Sequence, residues 1–197
     1  MGTDCAPVLA NLFLLYYERI YIFNLVEIGD TDTLYKLSNT GRFIDDLISI
    51  NDKCKLLELL PSIYPSCMTV NKTNQSTKNA TYLDMDLSVY NNNFVSKVYD
   101  KRRDFSFKVR NLTHFDSNLA MSSKVGLFIG QLNRFLVINS DYEFFLSECR
   151  SIKEKLSYLQ YPVDIIAKGI KGFLNRYGNA VKIKFWKELK MGDMMCI

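Results

Sequence analysis

The chain has 197 residues, 48% of them hydrophobic and 23% charged, which excludes a disordered tail and fits a folded chain with a core. Its longest apolar run, Val8 to Tyr17, is interrupted by Asn11 and falls short of the roughly 20 residues a bilayer-spanning helix needs, so no membrane partner is expected. The net charge of +4 hides an asymmetry: residues 1–96 hold 7 Lys and Arg against 11 Asp and Glu, whereas residues 97–197 hold 18 against 10.

Pro7 followed by Val8, Leu9, Ala10 and Leu12 to Tyr16 predicts a buried helix with proline in its first turn, capped by Thr3 or Asp4 and fading near Phe23. Gly29-Asp30-Thr31-Asp32 reads as a loop. Gly41 to Ile50 holds two short apolar runs that meet at Asp45 and Asp46, the pattern of a β-hairpin with its turn at the acids. Lys53 to Tyr64 has the apolar spacing of an amphipathic helix ended near Pro65. Strands are expected over Cys67–Val70, Tyr82–Tyr90 and Phe94–Tyr99, the last two joined at Asn91-Asn92-Asn93, because asparagine tolerates the left-handed turn conformation. Beyond the basic segment at Lys101, residues 119–138, 142–159 and 163–177 read as three helices, the last two separated by Tyr161-Pro162. The fold class is α+β, an antiparallel and helical layer followed by a helical domain.

Cysteines 5, 54, 67, 149 and 196 are odd in number and include no Cys-x-x-Cys pair, and His114 is the single histidine, so a disulfide framework and a zinc site are both disfavoured. The N-terminus lacks the basic lead-in of a secretory signal, and an intracellular protein, nuclear or cytoplasmic and not secreted, is expected. The sequons at Asn71, Asn74, Asn79 and Asn111 then read as by-products of an Asn-rich composition. Of the aromatics, Phe43, Phe128, Phe135, Phe144 and Phe145 lie in apolar periodic runs that suit a core.

Adjacent aspartates among apolar residues are the most informative feature. Neighbouring strand side chains point to opposite faces, so consecutive acids at positions 45 and 46 need a turn that exposes them or a ligand that binds them. Crowded carboxylates repel, and a divalent cation is the usual remedy. A plain solvent-exposed turn is the other reading. The basic half, in turn, is suited to neutralising phosphates or simply to solvating amphipathic helices.

Gly2-Thr3-Asp4-Cys5-Ala6-Pro7-Val8-Leu9-Ala10-Asn11, followed some thirty residues later by Phe43-Ile44-Asp45-Asp46, resembles motifs B and C of the reverse transcriptases. Further along, Tyr82-Leu83-Asp84-Met85-Asp86, Val98 to Asp104, Thr113-His114-Phe115, Gln131 to Phe135 and Tyr161-Pro162 are similar to the palm end and thumb of Penelope-like retroelement polymerases. Leu112, Phe115, Gln160 and Arg103 depart from that pattern.

The resemblance implies a partial palm over 1–100 with motifs B to E, a thumb-like helical domain over 101–180 and a tail over 181–197. It implies an RNA-directed DNA polymerase with an RNA template, a DNA primer and deoxynucleoside triphosphates as partners. Two Mg²⁺ ions, or Mn²⁺, would sit about 4 Å apart in nucleotidyl transfer. Asp45 and Asp46 would be catalytic and metal-binding, and Gly2, Thr3, Ala6, Pro7, Phe43 and Lys72 would line the nucleotide and template. Tyr82, Leu83 and Asp84 would form the primer grip, while Lys101, Arg102, Arg103, His114, Gln131 and Arg134 would contact the nucleic-acid backbone. Motif A, which donates another metal-binding aspartate in that family, precedes motif B there, so the chain reads as a truncated or internally started polymerase, inactive alone. The alternative is a non-catalytic nucleic-acid-binding remnant.

Overall fold

Pro7 needs no hydrogen-bond partner for its nitrogen in a first helical turn, and a helix does begin there. A computed structural model of the chain describes residues 4–50, 55–74, 76–107, 109 and 111–186. It divides into two units, Met1–Gln75 and Ser76–Ile197, so the second antiparallel sheet belongs with the later helices. Among the described residues, six α-helices and two small antiparallel sheets make an α+β chain.

In the first unit, α1 (Ala6–Glu27) runs past Phe23, where the sequence predicted it would fade, because the apolar run continues without a breaker as far as Gly29. Its N-cap is Cys5, which makes no side-chain cap bond; Thr3 lies outside the described residues, and Asp4 is a turn residue rather than the cap. The helix is apolar on all sides, yet only Leu14 and Leu25 are buried, while Val8, Leu9, Leu12, Phe13, Leu15 and Tyr16 are exposed. The expected loop at residues 29–32 instead opens α2 (Thr31–Leu37): the Asp30 carboxylate accepts from the Thr33 backbone N–H at 3.0 Å, an N-cap that also lowers the pKa of Asp30. The hairpin follows as β1 (Thr40–Phe43) and β2 (Asp46–Ser49). Then α3 (Leu56–Ile63) packs Leu56, Leu60 and the following Tyr64 against Leu14, with Leu37 and Leu47 around them. Lys53, the predicted start of this helix, lies outside the described residues. Residues 67–70 are irregular rather than a strand, since no described strand lies beside them to take their backbone hydrogen bonds.

The second unit opens with β3 (Asn79–Tyr82), β4 (Met85–Tyr90) and β5 (Asn93–Val98), antiparallel in that order. The single strand expected over Tyr82–Tyr90 is therefore corrected: Leu83 adopts φ +56° and folds the chain back, so Tyr82 ends one strand and Met85 begins the next. Asn91 and Asn92, with φ +48° and +61°, make the expected turn. The chain then forms a short 3₁₀ turn at Lys101–Asp104 and three helices, α4 (Met121–Ile138), α5 (Tyr142–Tyr158) and α6 (Val163–Lys184). The last of these runs seven residues beyond Tyr177 into the expected tail; residues 187–197 are outside the described set.

Phe128, Leu132, Phe135, Phe145, Phe173 and Val181 form the core of this unit, and Val98 brings the sheet into it. Phe43 and Phe144, by contrast, are exposed rather than core. A Cβ at Gly169 would lie 2.4 Å from the Phe128 ring, so glycine is what lets α6 approach α4. Asn139, fully buried, ties sheet to helix: its Oδ1 accepts from the Val98 N–H at 3.1 Å and its Nδ2 donates to the Phe135 carbonyl at 2.9 Å. No helix among the described residues is long and apolar enough to cross a membrane.

Candidate catalytic hairpin and nucleic-acid interface

The β1–β2 pairing places Phe43 opposite Asp46 and leaves Ile44-Asp45 as a two-residue loop. Ile44 holds φ +54°, a conformation that a β-branched side chain adopts only against strain. Both carboxylates of the pair are exposed, and neither the Asp45 nor the Asp46 side chain has a hydrogen-bond or ion-pair partner among the described residues. Ile44, Leu47 and Ile48 are half-buried beneath them.

Arg42 holds this tip in place. Its Nη1 donates to the Ile44 carbonyl at 3.0 Å and to Asn11 Oδ1 at 2.7 Å, and its Nε and Nη2 grip the Glu18 carboxylate at 2.5 and 3.2 Å. The Tyr64 hydroxyl donates to the same Glu18 oxygen at 2.6 Å. Glu18 raises the pKa of Arg42 by hydrogen bonding; burial, then Glu18, pushes the Tyr64 phenol up. Asn11 closes the first quoted motif and Arg42 directly precedes the second, so the two segments meet through one guanidinium fork. The roles of Glu18, Arg42 and Tyr64 were missed in the sequence because their partners lie 24 and 46 residues apart.

Of the other residues expected here, Ala6 is half-buried and Pro7 exposed in the first turn of α1, while Gly2 and Thr3 lie outside the described residues. Lys72 is exposed in an irregular segment, with no hydrogen bond to the hairpin. As oxygen donors free of protein partners, Asp45 and Asp46 fit one edge of a divalent-cation site. Among the described residues, no group of three or more His, Cys, Asp or Glu is placed to hold a metal, so they form an incomplete donor set.

In the second unit the predicted primer-grip residues Tyr82, Leu83 and Asp84 sit at a hairpin tip instead of along one strand. Asp84 accepts from Arg134 Nε at 2.7 Å, and its backbone carbonyl accepts from the Tyr99 N–H at 2.9 Å. Two residues expected to serve different roles are thus each other's partners. Arg102, Arg103, Gln131 and Arg134 gather around one small cavity of about 20 Å³, but carboxylates already occupy the two neighbouring arginines there. Asp100 takes Arg102 at 2.6 and 2.9 Å, and Glu148 takes Arg103 at 2.6 and 2.9 Å. The Arg102 hydrogen bond holds the Asp100 carboxyl below its usual range, and Glu148 raises the pKa of Arg103. Lys101 is exposed. His114 is half-exposed and accepts from the Asp116 N–H at 3.3 Å through Nδ1.

Lys124, which sequence reasoning passed over, is buried and donates to the Phe115 carbonyl and, at 2.8 Å, to the Ser117 carbonyl. It fixes the segment leading into α4. The signal was a lone lysine in an apolar helix, which more often marks a solvated face.

Residues 111–171 match the family described as an animal helix-turn-helix domain. That stretch takes in Lys124, all of α4 and α5 and the first nine residues of α6, joined by a three-residue and a four-residue connection. No curated protein and no solved structure gives a significant match to the chain.

Proposed function

We propose that the chain is a portion of a reverse transcriptase of the Penelope-like retroelement kind, its first unit carrying the catalytic hairpin of a palm and its second holding nucleic acid. The observation that carries this reading is the Asn11–Arg42 link, which joins the two motif-bearing segments and presents Asp45 and Asp46 at a partner-free tip. The uncovered apolar faces of α1 add support, because a helix apolar on every side suits a layer packed by further elements.

The reaction in this reading is transfer of a deoxynucleotide to a DNA primer on an RNA template. Mg²⁺ or Mn²⁺, when bound, would lower the pKa of the primer hydroxyl and neutralise the triphosphate. Asp45 would hold the cation, Asp46 would assist, and Arg42 would keep the loop from shifting, since positioning accounts for much of such catalysis. With no third carboxylate placed beside Asp45 and Asp46 among the described residues, binding by this chain alone should be weak and its polymerase activity absent.

A second reading, a nucleic-acid-binding protein without catalysis, is favoured by the helix-turn-helix match alone. Titrating Mn²⁺ into the ¹⁵N-labelled chain separates the two. Paramagnetic broadening centred on residues 43–47, abolished by Asp45→Asn with Asp46→Asn, supports the polymerase reading. Broadening centred elsewhere overturns it, and duplex binding without any broadening at the hairpin favours the second.

A further inference from the structure

We propose that the cleft between the C-terminal half of α5 and the stretch following the 3₁₀ turn binds a small aromatic carboxylate, its flat rings lying on phenylalanine and its acid on Lys155. The inference stands apart from the nucleic-acid reading above, since it uses neither the hairpin carboxylates nor a duplex. The cleft lies wholly within the second unit and measures about 680 Å³. Pockets that hold small molecules span roughly 300–1,000 Å³.

Its walls carry ring surface that the fold leaves uncovered. Phe105 has extended backbone, φ −82° and ψ 140°, so the side chain two residues on falls on the same side. The Phe105 and Phe107 rings accordingly stack, with centroids 5.3 Å apart and planes 29° apart. From α5, Ser151, Lys155 and Tyr158 line the cleft at spacings of four and three residues, which is one helical face. Phe105, Phe107 and Tyr158 remain 47%, 64% and 67% exposed. Three exposed rings around one cleft form an apolar surface that suits a flat ligand.

Unmatched donors set the sign of that ligand. Asp100 is engaged by Arg102 and Glu148 by Arg103. Arg103 reaches Glu148 through Nη2 alone, so its Nε and Nη1 make no hydrogen bond among the described residues. Lys155 likewise has no hydrogen bond or ion pair there, although Asp100 and Glu154 line the same cleft. The Arg102 hydrogen bond foremost, and the Lys155 charge least, hold the Asp100 carboxyl below its usual range, so the ammonium lies within the field of that carboxylate. A carboxylate from outside would satisfy Lys155 and the spare Arg103 N–H groups together. A cation would find Glu154 alone beside three basic side chains, and an uncharged ring system would leave the donors unmatched.

The test is an amide NMR titration of the ¹⁵N-labelled full chain with 2-naphthoate and with 2-naphthamide, which has the same rings and no charge. Shifts should centre on Phe105, Phe107, Val109 and Ser151 to Tyr158. Naphthoate should bind about threefold to tenfold more tightly than the amide, the gain expected of an ion pair at a partly exposed site. Lys155→Ala should abolish that ratio by weakening naphthoate alone, whereas Lys153→Ala, exposed on α5 and outside the cleft lining, should preserve it. Phe105→Ala with Phe107→Ala should weaken both ligands about fivefold. The replaced side chains are all exposed, and the rest of the amide spectrum reports that each variant is folded. Shifts centred elsewhere, or no saturable shift at millimolar ligand, overturn the site. Equal affinities for the two ligands in the parent chain overturn the carboxylate assignment. Displacement of naphthoate by an RNA–DNA hybrid at the same amides overturns the proposal in favour of a duplex surface. None of these outcomes alters the Mn²⁺ result at residues 43–47, so this site and the polymerase reading fail separately.

Discussion

Two hairpins in this molecule turn on nearly the same four residues and leave their carboxylates in opposite conditions. Phe43-Ile44-Asp45-Asp46 and Tyr82-Leu83-Asp84-Met85 each pair the aromatic with the fourth residue, and each puts a branched aliphatic residue at positive φ, +54° for Ile44 and +56° for Leu83. At the first tip a guanidinium supports the loop from below, through the Ile44 carbonyl, and Asp45 is left free. At the second a guanidinium takes the aspartate itself, at 2.7 Å. The local sequence therefore encodes the turn, and a side chain far along the chain decides whether its acid is available for chemistry.

Arg42→Ala tests the first arrangement and should have the largest effect. It removes four hydrogen bonds and leaves the half-buried Glu18 carboxylate with the Tyr64 hydroxyl but no cation, a loss of about 2–4 kcal/mol in the first unit. Amide hydrogen exchange across β1 and β2 reports it. Protection unchanged from the parent chain would mean that the hairpin stands without its support and that the link between the motif segments is incidental.

Arg134→Ala tests the second, with a smaller loss of about 1–2 kcal/mol because Asp84 is nearly half exposed. It should also convert one hairpin toward the other. Mn²⁺ broadening, confined to residues 43–47 in the parent chain, should appear in the variant at residues 83–85 as well. If the second tip stays silent after its arginine is gone, availability of the carboxylate is not what distinguishes the two.

The contrast also marks how far the sequence could be read. Apolar periodicity located α4, α5 and α6, and the paired acids located the first hairpin, because both signals are local. The second hairpin was read as one strand because its positive-φ residue is Leu83, with no Gly or Asn to announce a turn. Asp30 did signal the start of α2, three residues before Thr33, but its glycine and aspartate neighbours have the composition of a loop. At positions 101–103 the charges were visible and their neutralisation was not, since Glu148 reaches Arg103 from 45 residues away. Nothing local could have revealed Asn11 and Arg42 as partners, 31 residues apart.

The smallest effect separates a paired carboxylate from an unpaired one by its acid dependence. Asp100 accepts from Arg102 through Nε, Nη2 and the backbone N–H, and the side-chain hydrogen bond is the main cause of its lowered pKa. A carboxyl whose folded pKa lies below its unfolded value, about 3.9 for aspartate, binds its proton more readily in the unfolded chain. Its contribution to stability is therefore complete above about pH 4 and disappears as the pH falls through the folded value. Asp100→Asn keeps the shape and an acceptor oxygen but removes the charge, so it should lower the stability of the second unit by up to about 1 kcal/mol at neutral pH and by progressively less below about pH 4. Asp45→Asn, with no partner to lose, should change neutral-pH stability by less than about 0.5 kcal/mol. Urea denaturation of the parent chain and both variants from neutral to strongly acidic pH measures the difference. A constant gap between Asp100→Asn and the parent at every pH would show that the loss comes from packing or geometry and not from the charge that Arg102 holds.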